Sequence, residues 1–232
     1  MVNFTSPDCL ILSESMIREV ALCKRLRLIH FYHYVYVPPN SHSGGLCVAW
    51  KNEVDLEPQF VSKNVICGTV FFDPPNCLWS FIAIYGLPGP LEWKIFWESL
   101  SFLLDRSPGA RVIIGDLNGT LLDSESWSSS RGSRGSSSSL LALYECCSNL
   151  GLTDLGFQGP KFTWGRRRGG FLFQRSRLDR VFASIEWRTL FPKATVHVLP
   201  YIASDHNAIQ FNILVIRRRR NFIDYVKEDN GT

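Results

Sequence analysis

Short apolar runs broken by turn residues dominate the chain, and their spacing predicts many strands and few helices. Cys9 to Ser13 (CLILS), after Pro7-Asp8, reads as a buried strand. Ser15 to Leu28 carries Ile17, Val20, Ala21, Leu22 and Leu26 near helical spacing, which predicts a helix. Phe31 to Val37 is a strand by its Tyr and Val content, and Leu46 to Trp50 is the next after a Pro/Gly loop. Val65 to Phe72 and Leu78 to Tyr85 read as long strands joined by the turn Asp73-Pro74-Pro75-Asn76. Leu91 to Leu104 is an amphipathic helix, and Arg111 to Gly115 a buried strand ending in Asp116.

The pattern then loosens. Ser124 to Ser139 is rich in Ser, Gly and Arg, too polar to bury much surface, and reads as a mobile loop. Leu140 to Leu150 is a helix stopped by Gly151. Phe162 to Trp164 and Phe171 to Phe173 are short strands around a Gly/Arg turn. Ile185 to Leu190 is a short helix, and Thr195 to Leu199 and Ala208 to Ile216 are the last strands. Residues 217–232 read as a loose charged tail, which leaves one domain over 1–216. Strands that follow one another directly imply mixed or antiparallel pairing in two packed sheets with helices outside.

Composition narrows the class. The chain has 232 residues, 45% hydrophobic and 20% charged, which excludes wholesale disorder, collagen and a coiled coil. No apolar stretch reaches membrane-spanning length, and the N-terminus has no secretory pattern. Seven scattered cysteines without zinc spacing read as free thiols in a reducing compartment. These signs predict an intracellular protein, nuclear or cytoplasmic and not secreted. A net charge of +4 permits an anionic partner without demanding one.

Polar groups stand at the ends of apolar strands, where a rigid scaffold commonly displays chemistry. Glu14, Asp116, Asn118 and Asp205 are oxygen donors of the kind that suits Mg²⁺, with Mn²⁺ as a substitute. His206 could serve as a base for water, with a carboxylate such as Asp179 orienting it. Together they suggest metal-assisted phosphodiester hydrolysis.

VIIGDLNGTL, LTDLGFQGPKFTW, RLDRVF, WRTLFPKATVHVLP and SDHNAI, in this order, resemble the endonuclease/exonuclease/phosphatase superfamily. The resemblance is strongest to the endonuclease domain of plant LINE-type (non-LTR) retrotransposons, and PDCLILSES, GGLCVAW and FIAIYG fit it too. It spans roughly residues 7–216 and implies an α+β fold, a four-layer α/β/β/α sandwich of two mixed sheets. It also implies roles: Glu14 and Asp205 at the metal, Tyr85 and Asn118 at phosphate, Asp116 and His206 on the attacking water, and Asp179 holding His206. The implied substrate is DNA, and a monomer is expected. The family's first strand ends in a metal-site Asn, and only thirteen residues precede Glu14. That strand is therefore expected to be missing, with neighbouring backbone left open.

Plainer readings stand beside each role. Glu14 could be a helix-start acid, Asp116-Leu117-Asn118 an Asx turn, Ser204-Asp205-His206 a capping cluster and Tyr85 a core-edge aromatic. Trp164 and Arg166, Arg167 and Arg168 either form a hairpin that touches DNA phosphates or a solvated turn. Arg217 to Arg220 read as tail or as a basic signal. Two rival functions remain open: a non-catalytic remnant that binds nucleic acid, and a phosphoesterase of the same fold with another substrate.

Overall fold

The computed structural model describes residues 6–40, 44–72, 77–87, 90–105, 109–129, 137–200, 204–214 and 219–226. The expected turn at 73–76 lies outside them, as does 130–136 within the expected loop.

Two six-stranded sheets form the body. The first runs β13 (Thr195–Val198), β14 (Ile209–Leu214), β15 (Arg219–Val226), β1 (Cys9–Ser13), β3 (Leu46–Trp50) and β2 (His33–Val37). The second runs β4 (Asp55–Val61), β5 (Val65–Phe72), β6 (Cys77–Tyr85), β7 (Arg111–Asp116), β12 (Asp179–Ser184) and β9 (Leu152–Asp154). The pairing is mixed: β6 and β7 run parallel, β7 and β12 antiparallel. A small third sheet holds β10 (Trp164–Arg168), β11 (Phe171–Ser176) and β8 (Ser126–Ser128).

Apolar faces fix the layers. Ile11, Val48, Phe81, Ile114, Val181 and Phe211 belong to one buried cluster between the large sheets. Helices α2 (Pro90–Asp105) and α3 (Ser137–Asn149) cover the second sheet through Trp93, Trp97, Leu143 and Cys146 against Ile82, Ile84 and Ile113. Helix α1 (Glu19–Leu28) covers the first through Leu22 and Leu26 against Leu10 and Cys47. Burying a side chain of this size is worth ~1.5–3 kcal/mol, so these three clusters supply the drive to fold. The helix α4 (Ile185–Leu190) is capped by Ser184, whose hydroxyl accepts from the Trp187 N–H. This is the expected two-sheet sandwich with helices outside. No helix among the described residues is long and apolar enough to cross a membrane.

Several elements differ from expectation. α1 starts at Glu19 rather than Ser15, because the Ser15 and Ile17 carbonyls are taken by the Tyr36 hydroxyl at 3.4 and 2.6 Å. Within the expected loop 124–139, Asp123–Glu125 is a 3₁₀ turn, Ser126–Ser128 pairs with β11, and α3 begins at Ser137. The three arginines lie within β10 rather than in a turn. The turn itself is Gly169-Gly170, both with positive φ, as a tight hairpin requires. Residues 219–226 of the expected tail form β15, parallel to β1 and antiparallel to β14. The backbone groups that a missing strand would have left open on β1 and β14 are paired there, and an unpaired strand edge is costly to leave.

Candidate active site

Four strand ends converge on one end of the sandwich. β7 and β12 pair so that Asp116 stands opposite Asp179, and β6 sets Tyr85 beside Asp116 in the parallel register. The loop after β7 folds back on Gly86: its N–H donates to the Asp116 carbonyl at 2.7 Å, and its carbonyl accepts from Asn118 Nδ2 at 2.7 Å. A Cβ at residue 86 would sit 2.3 Å from the Leu117 carbonyl oxygen, so only glycine allows this approach.

His206 enters from the loop between β13 and β14. Its Nδ1 lies 3.0 Å from Asp179 Oδ2, and both groups are buried. With Nδ1–H donating to the carboxylate, Nε2 is the nitrogen left to face a substrate. Asp116 is fully buried, and its Oδ1 accepts from the Asn118 backbone N–H at 2.8 Å. This is the Asx turn that the sequence allowed, and Asn118 adopts φ 49° within it. Asp116 Oδ2 and Asp179 Oδ1 have no hydrogen-bond partner among the described residues.

The charges are tightly coupled. Burial pushes the Asp116 carboxyl up to about 7; Asp179 and Glu14 push the same way, against His206 and the Asn118 N–H. Burial disfavours the charged imidazole of His206, but Asp179, by charge and hydrogen bond, with Asp116 and Asp205, outweighs it and raises the group to about 10.

Glu14 follows β1 with φ 53° and is half-buried. It lies well before the first turn of α1, so it does not act as a helix-start acid. The Tyr85 hydroxyl donates to Glu14 Oε1 at 2.7 Å. Burial, then Glu14, raises the Tyr85 phenol well above its ordinary value, which keeps it a donor. Asp205 is exposed, and its Oδ2 accepts from the Trp164 indole N–H at 3.2 Å. Glu14 and Asp205 thus hold different partners, and among the described residues no group of three His, Cys, Asp or Glu side chains forms a ready metal cluster. Arg166, Arg167 and Arg168 are exposed on the β10–β11 hairpin, whose first residue, Trp164, bridges His206.

A supporting set escaped the sequence reading. Arg177 and Arg180 flank Asp179 and share two carboxylates, Glu125 and Asp154. Arg177 reaches them at 3.2 and 3.0 Å; Arg180 reaches Asp154 at 2.8 Å and is also paired with Glu125. Burial opposes the charge of Glu125, yet the Arg180 contact wins and holds its carboxyl low. The two arginines of RLDR were the only signal, since Glu125 sits in the Ser-rich stretch.

Residues 2–206 match the model of the endonuclease/exonuclease/phosphatase family. Among solved structures, the endonuclease domain of TRAS1, a telomere-specific non-LTR retrotransposon, is similar at TM-score 0.64 and 17% identity, over 90% of this chain and 100% of that one. The Neisseria 3′ phosphatase NExo, bound to a product DNA hairpin, is similar at 0.68 and 19%, over 92% and 91%. An AP endonuclease from Archaeoglobus fulgidus is similar at 0.69 and 16%, also over 92% and 91%. At these identities the likeness is one of fold. No curated protein matches the chain in sequence. The ordered motifs, the double sheet with its outer helices and the family match over most of the chain agree, and the protein belongs to the endonuclease/exonuclease/phosphatase family.

Proposed function

We propose that the chain is a divalent-metal-dependent phosphodiester hydrolase acting on DNA, of the retrotransposon-endonuclease kind. The observation that carries this reading is the buried Asp116, Asp179 and His206 cluster, in which Asp179 holds His206 by Nδ1 and, among the described residues, one oxygen of each carboxylate stays without a partner. Membership in the family and DNA-processing enzymes among the structural neighbours support it.

The donor chemistry fits a hard ion, because every candidate is an oxygen and two orphaned buried carboxylate oxygens, Asp116 Oδ2 and Asp179 Oδ1, stand at neighbouring strand ends in the same site. Glu14, after β1, and Asp205, before β14, would hold Mg²⁺ or Mn²⁺. Such an ion would supply positive charge against the scissile phosphate. The chain's own groups do the rest. Asp116, whose carboxyl titrates near neutrality, takes the proton of the attacking water. Water oxygen bonds to phosphorus as the bond to the leaving sugar oxygen breaks, and that oxygen leaves as a hydroxyl after taking a proton from solvent. His206, held protonated by Asp179, hydrogen-bonds a phosphate oxygen through Nε2 and stabilises the growing charge. Asn118, whose Nδ2 keeps a second hydrogen beyond its bond to Gly86, steadies the phosphate, and Tyr85 joins it by turning its hydroxyl from Glu14 to a phosphate oxygen. Arg166, Arg167, Arg168 and Trp164 contact the backbone of DNA beyond the cleaved bond. The protein acts as a monomer inside the cell.

The test is Mg²⁺-dependent nicking of supercoiled plasmid by the purified chain beside His206→Ala. Nicking that the substitution abolishes supports the reading. A folded protein that binds DNA in a salt-sensitive way but never nicks it overturns the hydrolase assignment in favour of a binding role.

A further inference from the structure

We propose that Thr163 is a positioning residue for the hydrolytic site, the anchor that sets Asp179 against His206. The inference rests on the function proposed above. Thr163 is completely buried and touches the chain around both partners. Its hydroxyl accepts the N–H of Leu178 at 2.9 Å and that of Asp179 at 3.0 Å. Its carbonyl accepts the N–H of Asn207, the residue after His206, at 2.6 Å. The clamp continues on either side. Gly165 N–H donates to the Asp205 carbonyl at 2.9 Å, Asn207 Nδ2 to the Phe162 carbonyl at 2.9 Å, and Trp164 and His206 form a bridge.

The strand layout explains why a hydroxyl is needed. On one side β12 is paired with β7 from Asp179 onward. On the other, β9 reaches only Phe182 to Ser184, so it does not serve the start of β12. There the Thr163 oxygen takes the place of a strand and satisfies two successive amides. Buried amides left unpaired are unfavourable, so without the hydroxyl the start of β12 would shift to find partners. Asp179 would move relative to a His206 loop still tied to the Thr163 backbone. Neither Leu178 nor Asp179 can drift independently of that loop while the oxygen is present.

Three measurements on the full chain test this. Amide hydrogen exchange on the wild type should show the Leu178 and Asp179 amides protected to the level of the β7–β12 ladder. At one fixed pH, the His206 Nδ1 proton should give a sharp downfield NMR signal in wild type and Thr163→Ser, and be broadened or absent in Thr163→Val. Nicking by Thr163→Val should fall ~100-fold in kcat with little change in KM, the scale expected of an ångström-sized misplacement, and Thr163→Ser should restore it. A Thr163→Val protein with the wild-type Nδ1 signal overturns the proposal, as does Thr163→Ser failing as badly as Thr163→Val. If Thr163→Val does not fold, rapid exchange of both amides in the wild type overturns it. If the wild type proves unable to nick DNA, the function falls, while the exchange and NMR results still decide whether Thr163 holds the pair.

Discussion

Asp179 Oδ2 and His206 Nδ1 lie 3.0 Å apart in a buried pocket, one at the start of a strand and the other in a loop between strands. The contact holds Nδ1–H on the carboxylate, favours the charged imidazole and leaves Nε2 to face out. Asp179→Asn keeps the shape but removes the charge that holds the imidazole. Plasmid-nicking turnover should fall by ~10²–10⁴-fold, the usual span for removing a positioned acid or base. Unchanged turnover would show that the pair has no part in the reaction.

The same cluster makes stability depend on pH. His206, raised from 6.5 to about 10, binds its proton more tightly when folded. Its contribution is complete below pH 6.5 and is lost as the pH rises through about 10. Asp116, raised from 3.8 to about 7, contributes in the same sense, fully below 3.8 and lost by about 7. Urea unfolding of the metal-free protein should therefore show stability falling between pH 7 and 10, and His206→Gln should flatten the part below about pH 8, where the buried thiols, ordinarily titrating at 9.0, do not yet contribute. A flat profile in the wild type would contradict the charge arrangement.

Arg180 has no solvent-exposed side-chain surface, and it faces Glu125 and Asp154. Arg180→Met leaves two carboxylates sharing Arg177 alone. Breaking one side of a buried ion network costs ~3–5 kcal/mol. Thermal melting should register the change, and adding Glu125→Gln should recover part of it. A melting temperature within a degree of wild type would show the network to be dispensable.

Arg166, Arg167 and Arg168 stand exposed on the hairpin that Trp164 ties to the His206 loop. If each meets one phosphate, the triple alanine variant should lower the slope of log affinity against log salt by roughly 0.9 for every phosphate that is no longer neutralised. Fluorescence anisotropy with a short duplex at several salt concentrations measures it. An unchanged slope would leave the arginines as a solvated surface.

Much of this fold was legible where apolar runs were dense. CLILS, LCVAW and RVIIGD are strands buried on both faces, and a continuous apolar run says so, while VICGTVFF is a similar run with Phe71 exposed on one face. Asp55–Val61 was not seen, since it is an edge strand with mostly exposed residues and a register shift after Pro58. Arg219–Val226 escaped because its charges mask the alternation, and what orders it is the pair of neighbours it joins. The candidate site was legible through ordered motifs rather than spacing. Nothing in the spacing of Asp179 and His206 predicts contact, because a crossing between two sheets brings them together. Thr163 lies within the motif LTDLGFQGPKFTW, but its role is not legible there, for a buried hydroxyl and a core methyl look alike until the two amides it serves are in place.

The placement of β15 has a consequence for how the molecule is made. Cys9 pairs with Phe222, about two hundred residues further along. As a ribosome extends the chain, β1 emerges well before β15, and one of its edges stays unsatisfied until Arg219–Val226 is synthesised. Such distant pairing is the slowest kind to form, because the whole intervening loop must close before any contact rewards it. The strand that leads into Glu14 thus waits for the more distant of its two partners. The protein should spend its synthesis with an open edge beside its own candidate active site, and molecular chaperones that shield strand edges would find their substrate there.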